Sequence, residues 1–260
     1  MLLSLTEVAL SLASGSLVGF SLGLVGGGGS ILAVPLLVYL VGVSSPHIAI
    51  GTSALAVAAN AAASLANHAR EGNVKWRCAL VLSAAGVVGA FLGSSVGKAI
   101  DGQKLLAFFA VIMMVVGVLM LRGRKAVGDP LVSLSRENLP KLVGFGLVAG
   151  ALSGFFGIGG GFLIVPALIM ATGMPILNAV ASSLVAVTAF GLTTAANYAY
   201  SGLVDWTVAA LFIAGGVVGG LLGAWSAKML AGSKGTLNTV FAALIFAVSV
   251  YMLVRSLGLA

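Results

Sequence analysis

Residues 23–37 read GLVGGGGSILAVPLL, and residues 153–168 read SGFFGIGGGFLIVPAL. In both, a run of glycines opens a short apolar segment that carries a proline. Overlaid at an offset of 131, Gly23, Gly26, Gly28, Gly29, Val34, Pro35 and Gly42 match Gly154, Gly157, Gly159, Gly160, Val165, Pro166 and Gly173. After one gap the offset becomes 130, and Asn67, Gly72, Val74 and Trp76 match Asn197, Gly202, Val204 and Trp206. Gly89, Gly93, Lys98, Gly102 and Lys104 then match Gly219, Gly223, Lys228, Gly232 and Lys234. Apolar composition alone yields chance matches of Ala and Leu, but not Pro, Asn, Trp and Lys in register. The chain is an internal duplication.

Composition places the duplication in a membrane. Of 260 residues 60% are hydrophobic and 7% charged, against about 45–50% apolar and about 25% charged in soluble domains. Nineteen charges, 13 basic and 6 acidic, cannot coat a soluble chain of this size. The 37 glycines suit helices that pack closely in lipid. The fold class is therefore an all-α polytopic membrane protein. The net charge of +7 falls mainly between apolar runs, so its partner is the anionic cytoplasmic leaflet and not nucleic acid. A single cysteine, Cys78, excludes an internal disulfide and a thiolate metal site. The start, MLLSLTEVALSL, has no basic residue before its apolar run and carries Glu7, so no cleaved signal peptide is expected.

Charges and turn residues mark ten apolar segments, at 5–25, 30–42, 47–69, 76–98, 104–121, 141–157, 161–172, 177–199, 206–228 and 236–257. About 20 residues are needed to cross the hydrocarbon core, and the segments at 30–42 and 161–172 are too short. The chain divides into a first repeat at 1–121, a charged connector at 122–140 and a second repeat at 141–260. Short, glycine-interrupted segments in matching places of two halves are the mark of a secondary transporter. If each short segment forms a hairpin with its predecessor, the repeats are inverted, with ten basic residues on one side and three on the other. If each pair is one broken helix, the halves are parallel and the count is nine against four. The inverted arrangement is preferred, because 12 or 13 residues reach little beyond the midplane.

The glycine clusters are the first candidate site, Gly27, Gly28, Gly29 and Ser30 in one half and Gly159, Gly160 and Gly161 in the other. Each is expected to begin a helix whose first amides are free. In hydrocarbon such donors must face protein or a wet cavity. A small anion suits them, since the helix dipole is positive there and glycine lets a ligand approach the backbone. The competing reading is tight helix crossing alone. No Lys-Ser/Thr follows either cluster, which excludes a phosphate-binding P-loop.

The third and eighth segments carry further polar groups: Thr52, Ser53, Asn60 and Asn67, then Ser182, Ser183 and Asn197. Ser53, Asn60 and Asn67 share a helix face at steps of seven, and Phe190 stands where Asn60 would repeat. Such a stripe either lines a pathway or bonds across helices. His68 and Arg70 lie at a segment end. His68 either carries a coupling proton or caps the helix, and Arg70 is a rim charge that affects access. All six acidic residues lie near segment ends, which disfavours a cation pathway. No Ser-His-acid constellation and no metal-ligand spacing supports an enzyme or a cofactor.

With GLVGGGGSILAVPLL, Gly51-Thr52-Ser53, SGFFGIGGGFLIVPAL and Ala181-Ser182-Ser183, the chain resembles the sulfite exporter TauE/SafE family over essentially its whole length. The resemblance implies secondary transport of small anions, especially sulfur oxyanions and sulfonated or carboxylated organic acids, in a bacterial inner membrane. The family motif maps onto Gly27–Ser30 with Pro35, and onto Gly159–Gly161 with Pro166. It leaves substrate, direction, coupling proton or cation, and homo-oligomeric state open. A passive anion channel is the alternative, and a membrane scaffold the third class.

Overall fold

The computed structural model describes residues 4–122, 133–229 and 234–256. The first half runs α1 (Leu5–Val25), a 3-10 helix (Gly26–Leu32), α2 (Ala33–Pro35), a π-helix (Leu36–Val41), α3 (Pro46–Arg70), α4 (Trp76–Ala99) and α5 (Gly102–Arg122). The second half runs α6 (Leu139–Phe156), α7 (Gly161–Thr172), α8 (Ile176–Tyr200), α9 (Trp206–Met229) and α10 (Lys234–Ser256). Six helices, α1, α3, α4, α6, α8 and α9, are long and apolar enough to span a membrane. The middle of the expected connector, 123–132, lies outside the described residues.

Local chemistry sets the helix ends. Ser4 and Glu7 form a reciprocal capping box at the start of α1, the Glu7 carboxylate accepting the Ser4 amide at 2.8 Å and Ser4 Oγ accepting the Glu7 amide at 3.2 Å. Ser45 caps α3 with Pro46 at its first position. The turns after α3 and α8 are the same structure twice. Gly72 and Gly202 both take a φ of +70, open to glycine without a Cβ penalty. Their amides donate to the carbonyls of Ala69 and Ala199, closing each helix.

Packing interlocks the two halves. The Cα of Gly15 meets the backbone of Phe212, that of Gly19 meets Gly216, and Gly223 meets Phe20. These contacts advance together, so α1 and α9 run parallel. Gly86 with Gly150, Ala90 with Gly154, and Gly93 with Ala151 repeat the arrangement between α4 and α6. At each crossing a side chain would overlap the facing backbone, so the helices approach as only small residues allow. Each pair joins a helix of one half to a helix of the other.

The third pair, α3 and α8, runs antiparallel. Thr52, early in α3, accepts the amide of Asp205 beyond the end of α8 at 2.9 Å. Ser182, early in α8, accepts the amide of Lys75 beyond the end of α3 at 2.8 Å. Buried Ala49, Ile50, Val57, Leu184, Val187 and Phe190 from these two helices form the middle of the core.

Candidate functional site

The two glycine clusters fold differently. The second is a true break between helices. α6 ends at Gly157 in the left-handed conformation, φ +69, its amide donating to the Ser153 carbonyl at 2.8 Å. Gly159 and Gly160 are also left-handed, at φ +69 and +66, and α7 begins at Gly161. Side chains are strained at these angles, so the turn needs its glycines. It lies at the crossing of α3 and α8. A Cβ on Gly159 would stand 2.9 Å from methyl carbons of both Val57 and Val187. Those valines occupy matching positions in the two repeats.

Residues 157–162 are all buried. Turn bonds close over Gly157 and over Gly159–Gly160, and outside residues 24–28 no described residue accepts from the amides of Gly159 and Gly160. The next two, Leu163 and Ile164, bond the Gly160 carbonyl at 2.9 and 3.0 Å and start the helix. Ser153, in the last turn of α6, is fully buried and its Oγ has no partner. A Cβ on Gly160 would come within 3.2 Å of that oxygen. The amides of Gly159 and Gly160, the Ser153 hydroxyl and the positive end of α7 thus lie together in a buried turn. Successive amides around left-handed residues form a concave anion cradle, and low dielectric strengthens each donor.

The first cluster, expected to start a helix with free amides, follows α1 as a seven-residue 3-10 helix that includes Gly27, Gly28, Gly29 and Ser30, and folds back on α1 where Gly29 meets Leu22, as Gly160 meets Ser153 in the other repeat. In that winding each amide can reach the carbonyl three residues back. Side chains three apart would eclipse, a clash that four consecutive glycines avoid. Gly29 packs against the backbone of Ser21 and Leu22, and Ser30 is buried. Pro35, which lacks an amide donor, ends α2, and the chain widens into the π-helix. This short run and α7 pack against each other.

The polar residues of α3 and α8 do not converge. Ser53 Oγ donates to Ile50 O at 2.9 Å and reaches the glycine turn at Gly157 O, 3.1 Å. Its counterpart Ser183 donates only to Val180 O, at 2.8 Å. Thr52 and Ser182 are occupied in tying the halves together. Asn60 is buried with neither end of its amide bonded, and a side chain on Gly216 would overlap it. Phe190, in the matching position, fills the equivalent notch at Gly86. Asn67 is exposed at the end of α3, about 21 Å from Ser53 at the usual helical rise. His68 is half-buried and Arg70 exposed beside it.

Asn197 belongs to a different cluster. Its side-chain oxygen accepts from Lys98 Nζ at 2.8 Å, and its amide nitrogen donates to Ser94 Oγ at 2.6 Å and Ser95 Oγ at 3.0 Å. Lys98 also donates to Ser201 Oγ at 2.8 Å and lies 5.9 Å over the Tyr198 ring. Tyr198 is buried with a free hydroxyl, 6.4 Å between ring centres from His47. The sequence did not single out Ser153, whose repeat counterpart is Leu22. Its one signal was a lone hydroxyl four residues before a glycine cluster.

Comparison with known proteins agrees with this architecture. The family model for the sulfite exporter TauE/SafE matches residues 11–252. A probable membrane transporter protein of Xylella fastidiosa is 54% identical over 98% of both chains. The probable membrane transporter protein YunE of Bacillus subtilis is 28% identical over 77% of this chain and 81% of its own. MJ0441 of Methanocaldococcus jannaschii, another probable membrane transporter protein, is 31% identical over 64% of each. No solved structure matches the chain. With six apolar spans, interlocked halves and a family match over nearly its whole length, the chain is an integral membrane transporter that belongs to the sulfite exporter TauE/SafE family.

Proposed function

We propose that this transporter carries small anions, sulfur oxyanions such as sulfite or sulfonated and carboxylated organic acids, by alternating access. The substrate is held at the turn Gly157–Gly161. One observation carries the reading: the buried Ser153 hydroxyl has no partner beside the left-handed glycines that open α7. Unsatisfied buried donors are costly, and an oxyanion accepts from several at once. No full positive charge is needed, which lets the ligand leave. The first glycine cluster packs against α7 and forms the facing wall, with Ser53 bracing the turn from α3. The other candidate side chains act outside the cradle, Thr52 and Ser182 as ties between halves and His68 and Arg70 at a rim.

The repeats are read as inverted. The support is the antiparallel course of matching helices α3 and α8. In that reading the ends of α3 and α9 share one side, and by sequence the loops assigned to that side carry ten basic residues, against three on the other. The end rich in positive charge is the cytoplasmic one.

A thermal-shift panel on purified protein tests the substrate class: sulfite, sulfate, thiosulfate, sulfoacetate and acetate. A ligand at 100 times its Kd adds about 2.7 kcal/mol of stability. The expected result is a shift with at least one anion that disappears in Gly160→Ala. Shifts of equal size in that variant would move the site away from the turn, and ohmic current in bilayers would make the protein a channel.

A further inference from the structure

On the outer face of the first repeat, α1, the short broken run and α10 enclose an apolar groove of about 320 Å³. Leu17, Leu32, Pro35 and Leu36 line it together with Tyr39 and Tyr251, which stand beside Arg255 at the end taken as its mouth. The mouth is built as a clamp. The two tyrosine rings meet edge to face at 5.4 Å, and the Arg255 guanidinium lies 5.5 Å over the Tyr39 ring. Arg255 donates one bond to Tyr251 Oη at 2.7 Å. Arginine has five N–H donors in a planar fork, so most of its donor capacity remains at the mouth. Its side chain is exposed, and it is one of the three basic residues at the end of the molecule opposite the 70–75 turn.

The geometry points to a site for one anionic phospholipid. Leu17 lies twelve residues into α1, about 18 Å from its start and hence near the midplane of a 30 Å core. Arg255 lies in the last turn of α10, at the interface. The groove therefore spans one leaflet, apolar throughout its depth and cationic at headgroup level, which is the polarity of a phospholipid. Arginine holds a phosphate through paired N–H donors, and tyrosines belong at that depth. The second repeat did not keep the clamp, since Met170 and Leu121 stand at the positions of Tyr39 and Tyr251. Because Pro35 and Leu36 form the wall, the bound chain braces the run that carries the first glycine cluster.

Delipidated protein is titrated with dioleoyl phosphatidylglycerol or dioleoyl phosphatidylcholine in detergent, and bound lipid is counted by native mass spectrometry. Phosphatidylglycerol should be retained preferentially, and Arg255→Gln should weaken it about fivefold, the worth of one basic residue at an anionic surface. Arg255→Lys should recover part of that loss. Leu36→Trp should expel lipid whichever headgroup is offered. Equal retention of the two lipids, or unchanged retention in both Arg255→Gln and Leu36→Trp, overturns the proposal. So does competition by glycerol phosphate at the lipid's own concentration, which would mean a soluble anion at Arg255, or a dimer whose formation blocks the groove. None of these readouts depends on which substrate is carried, so their failure leaves the glycine-turn reading untouched.

Discussion

The hydroxyl of Thr52 accepts the amide of Asp205 at 2.9 Å, joining the start of α3 to the turn that follows α8. Ser182 and Lys75 make the same bond at the other end, at 2.8 Å. The two repeats thus close each other's turns. A hydroxyl used this way supplies an acceptor to an amide that no helix satisfies.

Removing either acceptor should cost about 1–2 kcal/mol, the price of a half-buried amide left unpaired. Thr52→Val and Ser182→Ala should each lower the unfolding midpoint in detergent. Lying at opposite ends, they should add when combined. An unaltered midpoint in both would show that water replaces them without loss.

At the glycine turn, Gly160→Leu should abolish transport while membrane insertion persists, because its φ of +66 and the Ser153 side chain leave no room. Gly28→Leu in the facing 3-10 helix should cost activity too. Ser153→Ala should weaken anion binding by about tenfold to a hundredfold, the value of one hydrogen bond to a charged group. Binding and uptake assays check this. Full activity in the glycine variants together with wild-type affinity in Ser153→Ala would leave the turn a packing element only.

Asn60 and Phe190 hold matching notches, one with an unbonded amide and one with a ring. Asn60→Leu should therefore raise the thermal midpoint, since a buried amide without partners costs about 1–3 kcal/mol. Transport should fall in the same variant if α3 needs that amide during the cycle. A more stable protein with unchanged transport would make Asn60 functionally silent.

Single cysteines at Gly72 and Gly202, in a Cys78→Ser background, should label from opposite sides of the membrane. Labelling of both from one side would exclude inverted repeats.

Asn197 separates structural from binding roles. Asn197→Ala should reduce stability, because Lys98, Ser94 and Ser95 lose a shared partner, and leave anion affinity within about twofold. A tenfold loss of affinity at normal stability would return Asn197 to the binding site.

Much of the fold is legible in the sequence. Matched Pro, Asn, Trp and Lys residues established the duplication, and segment limits such as 161–172 and 206–228 agree with α7 and α9 to within a residue. These features are local: apolar length sets a span, and Gly72 or Gly202 sets a turn. The same local reasoning gave both glycine clusters one conformation; both fold back on the preceding helix at matching positions, but the first winds as a 3-10 helix where the second breaks at left-handed glycines. Four glycines in a row can wind as a 3-10 helix or break, and their neighbours decide which.

The sequence by itself determined a duplicated, membrane-embedded bundle of helices with glycine breaks and no full charge at mid-segment. Periodicity, composition and register are properties of the chain and need no partner. Only the tertiary structure decided that α1 packs on α9 and α4 on α6, that α3 opposes α8, and that Ser53, Asn60 and Asn67 are spread along the axis rather than gathered. It also brought Ser53 to the Gly157 carbonyl. A hydroxyl's role depends on which carbonyls and amides lie within hydrogen-bonding reach, and in a chain whose halves interlock those groups come from residues more than a hundred positions away.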